Sequence, residues 1–333
     1  MTKPSLSWQS WSPTSLSLLR IPQWDYCPIP TSLPTTFQKP TYLPKPPISL
    51  WCSWQSNGTK ICEDLIFSQA KKFQRHKYVP QYILIDDGWC LWGDWNTPNK
   101  SKFPHSIKSV VDNLTNLKYQ TGLWIAPFLA DPRSNLVKSH PDWLLKSRYG
   151  HPYNAFMSYP LVRNFTPKYL LDFTNPSVMD YLLDSINTMV DKWDISLLKL
   201  DHLYAPYFAP NHQIARQASS ALTKLFEYIR YKHSNVYTIA CGCPFSDAQN
   251  HVDAIRLSKD INSPQLQNIP LLGRFLYQKR KFLLDQKLEL ASQLSPLPFG
   301  LDPDSAMNKV DADKYYTLWK SGKIQVFGLG YNL

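Results

Sequence analysis

Nowhere does the chain run apolar for the roughly 18 residues that a membrane span needs. Its first 20 residues, broken by serine and proline, hold no signal-peptide core. No membrane partner is expected. The six cysteines, Cys27, Cys52, Cys62, Cys90, Cys241 and Cys243, match neither zinc-ligand spacing nor a Cys-x-x-Cys redox pair. No metal and no other cofactor is expected, and the thiols read as reduced in a cytoplasmic protein. A polybasic tail, an arginine-rich stretch and zinc-finger spacing are missing too. The net charge of +11 is scattered, with only short clusters such as Lys71-Lys72 and Lys279-Arg280-Lys281. It reads as solvated surface, so no nucleic-acid partner is expected.

What the chain has in quantity is aromatic residues, 14% with 12 Trp, and proline. Indoles are surfaces on which sugars and bases stack. A length of 333 residues suits one large α/β domain with an appendage, or two domains. Residues 1–48 carry ten prolines, which rules out helices and interior strands there. The segment is expected to be an extended strap, with Trp8 and Trp11 stapling it to the body. From Ile48 the texture alternates. Short buried runs are expected as strands at 48–54, 82–85, 122–128, 197–201, 236–242, 254–257, 298–300 and 324–328, with a further extended segment at 170–173. Between them, apolar residues at helical spacing predict helices near 61–73, capped by Asn57 or Thr59, then 107–117, 177–193, 214–231 and 271–294. Eight strands alternating with helices predict a parallel sheet closed as a (β/α)8 TIM barrel over 49–333, entered by the Pro-rich strap 1–48.

In such a barrel the C-terminal strand ends share one rim, where the chemistry collects. Those ends carry Trp54, Asp86 and Asp87, Trp124, Lys199 and Asp201, Cys241, Arg256 and Asp260, and Asp302 and Asp304. A lysine and an aspartate inside Leu197-Leu198-Lys199-Leu200-Asp201 must be paired or put to use. Taken alone, that run is equally readable as a structural ion pair, and any one of these aspartates as a helix cap. Six acids on one rim, set among tryptophans and without a Cys/His cluster, suit glycosidic bond cleavage instead. There one acid protonates the leaving oxygen while a carboxylate attacks the anomeric carbon. A neighbouring lysine keeps that second carboxylate ionised.

Ten short motifs stand in one order: Trp51-Cys52-Ser53-Trp54, Ile85-Asp86-Asp87-Gly88-Trp89, Gly93-Asp94-Trp95, Lys102-Phe103-Pro104, Gly122 to Phe128, His140-Pro141-Asp142-Trp143, Leu171 to Pro176, Lys199-Leu200-Asp201, Cys241-Gly242-Cys243-Pro244 and Arg256 to Asp260. Together they resemble the retaining α-galactosidases of glycoside hydrolase family 36, continuously from 49 to about 262. The resemblance implies Asp201 as nucleophile and Asp260 as general acid/base. It implies Asp86 and Asp87 on the 4- and 6-hydroxyls of galactose, Lys199 on the 3- and 4-hydroxyls, and Arg256 near the 2-hydroxyl. Trp124 and Cys241 would line the galactose pocket, with Trp54 and Trp95 as further substrate-facing rings. Trp8-Gln9-Ser10-Trp11 resembles a run that dips into the family's pocket, which makes Trp11 a substrate contact. Departures from the family are also read: the chain is expected to lack the flanking β-domains, His202 stands where the family usually has Phe, and Leu301 replaces an Asn. The implied activity is retaining hydrolysis of small α-galactosides of the melibiose or raffinose type. An α-galactosyl transferase on the same site and a non-catalytic sugar-binding barrel stay open, as does a homo-oligomer.

Overall fold

A computed structural model of the chain describes residues 44–155, 167–256, 260, parts of 271–286, 300–302, 306 and 308–333. Most of the strap, with Trp11, lies outside the described residues, as do Asp304 and the expected strand positions 298–299.

The order runs β1 (Ile48–Cys52), α1 (Glu63–Phe73), β2 (Tyr82–Ile85), α2 (Ile107–Asn116), β3 (Gln120–Ile125), β4 (Leu129–Ala130), β5 (Tyr169–Leu170), α3 (Pro176–Asn187), β6 (Leu197–Leu200), α4 (Ala218–Lys232), β7 (Tyr237–Ala240), β8 (Ala254–Arg256), β9 (Gly300–Asp302), α5 (Lys309–Lys320) and β10 (Val326–Leu329). Eight of these strands form one parallel sheet in the order β10-β1-β2-β3-β6-β7-β8-β9. The last strand returns to the first, with Ile48 opposite Val326 and Leu50 opposite Gly328. The remaining seam is bridged by Ala306, whose N–H donates to Gly328 at 2.8 Å and whose carbonyl accepts from Gly330 at 2.8 Å. The sheet is thereby a nearly closed (β/α)8 barrel, as the alternation of strand and helix patterns predicts. Among the described residues, no helix is long and apolar enough to cross a membrane.

Side chains alternate across each strand, and that alternation splits the core in two. Ile48, Leu50, Cys52, Tyr82, Leu84, Leu197, Tyr237, Ile239, Cys241, Ala254 and Val326 fill the barrel's interior. Their neighbours, such as Trp51, Ile83, Ile85, Leu198 and Leu200, pack outward against the helices. The interior is tight: a Cβ on Gly122 would come within 2.8 Å of Leu197.

Three local expectations need correction. Asn57 and Thr59 lie in short helical turns and cap nothing; α1 starts at Glu63, after Cys62 in extended backbone. The segment expected at 170–173 contributes only β5, which pairs antiparallel with β4 in a separate ribbon. Helix α3 ends at Asn187 and continues as a wider turn over Thr188–Lys192 rather than as regular helix to Trp193. Its start follows the expectation, with Pro176 in the first turn and the Asn175 side chain accepting from Ser177 N–H at 3.0 Å.

Candidate active site

Period-two alternation carries the interior face past each strand's C-terminal end. On β6, Leu197 and Lys199 point inward, and Asp201 follows two residues on. On β2, Tyr82 and Leu84 lead to Asp86. The polar groups at the rim are thus the continuation of the apolar barrel interior.

Lys199 and Asp86 are almost wholly buried, at 3% and 2% side-chain exposure, and Nζ lies 2.7 Å from Oδ2. Burial alone would lower the Lys199 ammonium's pKa; the charge of Asp86 more than reverses this and holds it well above the ordinary lysine value. The same Oδ2 accepts from the Cys52 thiol at 3.3 Å. That thiol is pushed up by burial and then by the Asp86 charge, so it stays protonated and donates. Asp86 Oδ1 accepts from the Asp87 N–H at 2.9 Å, and the Asp86 N–H donates to Ser53 Oγ at 2.9 Å.

Asp201 accepts from Trp124 Nε1 on Oδ2 at 3.0 Å and from the His202 N–H on Oδ1 at 2.7 Å. Burial would raise its carboxyl, but His202, Lys199, the Trp124 bond and Arg256 together hold it down to about 2. Across the intervening β7, Asp260 follows β8. Its Oδ1 accepts from Arg256 Nη1 at 2.9 Å and its Oδ2 from Trp54 Nε1 at 2.8 Å. Its side chain is 27% exposed, against 2% for Asp86. Asp87 differs again. Burial lifts its carboxyl to about 7, against the pull of the Trp92 Nε1 bond at 2.7 Å and with further lift from Asp86.

The aromatic wall is a chain of rings. Trp124 meets Trp92 at 5.1 Å between centroids and Trp95 at 6.2 Å. Trp95 has no exposed surface and also packs on Trp89 at 6.3 Å, so what it contributes here is support for Trp124. Cys241 is buried at the end of β7; its N–H donates to Leu200 at 2.8 Å and its carbonyl accepts from Leu203 at 3.3 Å. The structure therefore brings together Trp54, Asp86, Asp87, Trp124, Lys199, Asp201, Cys241, Arg256 and Asp260 at one end of the barrel.

Two further groups escaped sequence reasoning. Trp92 holds Asp87 and sits in an irregular loop with no periodicity to mark it. Lys168 places its ammonium 4.8 Å from the Trp92 ring centroid and 2.9 Å from Asp131 Oδ2. Asp131 in turn accepts a two-pronged bond from Arg133, Nε on Oδ1 at 2.9 Å and Nη2 on Oδ2 at 3.0 Å. Nothing local in Pro167-Lys168-Tyr169 signals this; the contact exists only because the β4–β5 ribbon folds back on the barrel. One carboxylate held ionised beside a buried ammonium, and a second at a half-open mouth, can divide bond cleavage into attack and proton transfer.

The family model described as Melibiase matches residues 43–248. A curated relative, "Probable alpha-galactosidase C" of Aspergillus terreus, is 28% identical over 213 residues, covering 57% of this chain and 26% of that protein. The alpha-galactosidase of Escherichia coli is 26% identical over 175 residues, covering 48% of this chain and 23% of that one. The chain thus spans about a quarter of the length of these relatives. Among solved structures, the alpha-galactosidase TtGalA of Thermus thermophilus in complex with stachyose superposes with a TM-score of 0.68 at 24% identity. That match covers 88% of this chain and 63% of that one.

Proposed function

Because the chain belongs to the Melibiase family, we propose that its barrel hydrolyses terminal α-D-galactosyl residues of small galactosides, of the melibiose or raffinose type, with retention at the anomeric carbon. Asp201 is the nucleophile. Its carboxylate attacks the anomeric carbon while Asp260 gives its proton to the departing glycosidic oxygen, and the C–O bond breaks toward that oxygen. The product is a glycosyl ester on Asp201 of inverted configuration. Asp260, now a carboxylate, takes a proton from water, whose oxygen displaces Asp201 and restores the original anomer.

The observation that carries this reading is the pairing of charges on β6. Lys199 is committed to Asp86, and Asp201, two residues on, is held ionised at about 2. A nucleophile must be ionised at working pH, and an acid/base must reach solvent-borne leaving groups; the part-exposed Asp260 supports the second role. Asp86 and Lys199 would hold adjacent hydroxyls of galactose. Asp87, neutral below about pH 7, can donate to a hydroxyl as well as accept from one. A sugar lacking the matching hydroxyl leaves such buried groups unpaired, which is how a polar pocket discriminates.

The test is a panel of p-nitrophenyl α- and β-glycosides of galactose, glucose and N-acetylgalactosamine, with proton NMR during the first minutes. Release from the α-galactoside alone, with α-galactose as the first product, is expected. Preference for another sugar or anomer would overturn the substrate assignment, and early β-galactose would overturn double displacement.

A further inference from the structure

His202 is the residue at the rim that the proposed chemistry leaves unused, and it occupies the place where the resembling family usually carries Phe. Its backbone is in the left-handed region, at φ 54°. For a residue with a side chain this conformation is unfavourable and persists where the surroundings over-determine it. Here they do. The left-handed turn aims the His202 N–H at Asp201 Oδ1, 2.7 Å away. The ring lies 5.1 Å from the Trp92 ring, meets Trp124 nearly edge-on at 6.3 Å, and places Nδ1 2.9 Å from the Tyr204 hydroxyl. Beneath Tyr204, a Cβ on Gly242 would come within 2.8 Å of its ring, so the loop after β7 closes the clamp.

We propose that His202 is a positioning residue for Asp201 whose own protonation sets the acid limb of the reaction. This rests on Asp201 and Asp260 acting as nucleophile and acid/base. The groups facing the ring are Asp201 and Asp260, which favour the imidazolium, Lys199 and Lys168, which oppose it, and the Tyr204 phenol. Burial opposes it most, so the imidazole is held below its ordinary pKa of 6.5 and is neutral at neutral pH. Nδ1 and the Tyr204 hydroxyl share one hydrogen bond at 2.9 Å. In acid the ring gains a second proton. The imidazolium then stabilises the carboxylate of Asp201 and weakens its attack. Asp201 stays ionised down to about pH 2, so its own titration does not limit activity in milder acid. A phenylalanine at this position would keep the ring packing and lose the proton.

The experiment measures kcat/KM on an aryl α-galactoside from pH 3.5 to 8 for the wild type and His202→Phe. The wild type should lose activity with a midpoint below pH 6.5. In the variant that midpoint should move down by about one pH unit or more, whatever its maximal rate. An unmoved midpoint would overturn the proposal. Should the variant fail to fold, NMR titration of the His202 ring protons in the wild type and in Asp201→Asn decides. Loss of the Asp201 charge should lower the ring's midpoint, and an identical midpoint in both proteins overturns the coupling. Wild-type inactivity on every glycoside would instead sink the functional reading, and the ring titration would still answer for His202.

Discussion

Asp201 and Asp260 carry the same functional group and are held in different environments. Asp201 receives two N–H donors and the field of the Lys199 and Arg256 cations. Asp260 shares its oxygens between Arg256 and Trp54 at a part-open mouth. If Asp260 supplies the proton, its removal costs most where the leaving group is basic. Asp260→Ala should therefore slow an alkyl or sugar leaving group by roughly 10²–10⁴-fold, the range of general acid catalysis, and an activated aryl one far less. A series of aryl galactosides of graded phenol acidity gives the slope. Equal loss across the series would assign Asp260 to structure. The place of both aspartates at the barrel's rim was legible in the sequence, since each follows a readable strand. Their different environments were not legible, because Trp54, Trp124 and Arg256 reach them from other strands.

At the scale of elements, β6 joins the apolar barrel to the charged rim in five residues. The Lys199–Asp86 pair links β6 to β2, its nearest neighbour but one in the sheet. A buried pair of this kind contributes little net stability when intact, yet breaking it strands a charge. Lys199→Met should destabilise the barrel by about 3–5 kcal/mol, because among the described residues Asp86 then keeps the Cys52 thiol and the Asp87 N–H as donors to its oxygens. Replacing both partners, as Lys199→Met with Asp86→Leu, should recover most of that loss. Urea titration of the two variants checks it: a double variant no more stable than the single one would show that the cost is lost packing rather than a stranded charge. The strand positions themselves were readable from buried aliphatic runs. Boundaries went astray where loops intervene, as at β5, whose partner β4 at Leu129–Ala130 begins just past the strand expected at 122–128.

For the whole molecule, the titrating groups pull stability in opposite directions with pH. His202, His233 and His251 are each held below the ordinary histidine value, by burial first. They contribute stability above pH 6.5 that is lost as pH falls through their folded values. Asp201 is likewise depressed, to about 2, and so is Asp131, where Arg133 and Lys168 outweigh burial. Their contribution is present above about pH 4 and lost in stronger acid. Asp87 has the opposite sign. Its folded value is raised to about 7, so its contribution is full below about pH 4 and is lost as pH rises to 7. Asp87→Asn should therefore stabilise the protein at pH 8 by up to about 4 kcal/mol relative to its effect at pH 4. Thermal melts of the wild type and the variant at pH 4 and pH 8 test this. An equal change at both pH values would remove the buried carboxyl as the cause. Such a gain is expected to come with weaker galactose binding if Asp87 holds a sugar hydroxyl as proposed.

By itself the sequence determined the architecture and the membership of the rim. Strand and helix periodicities are local, and side-chain alternation places Lys199, Asp201, Asp86, Cys241 and Arg256 on the barrel's inner face once the strands are known. Only the tertiary structure decided the state of each group. Whether a carboxyl is held ionised like Asp201, or lifted like Asp87, depends on donors, charges and solvent contributed by residues distant in the chain. Trp92, Lys168 and the clamp around His202 belong to that second kind, for they act through contacts that loops create, and a loop's path carries no period from which it can be read.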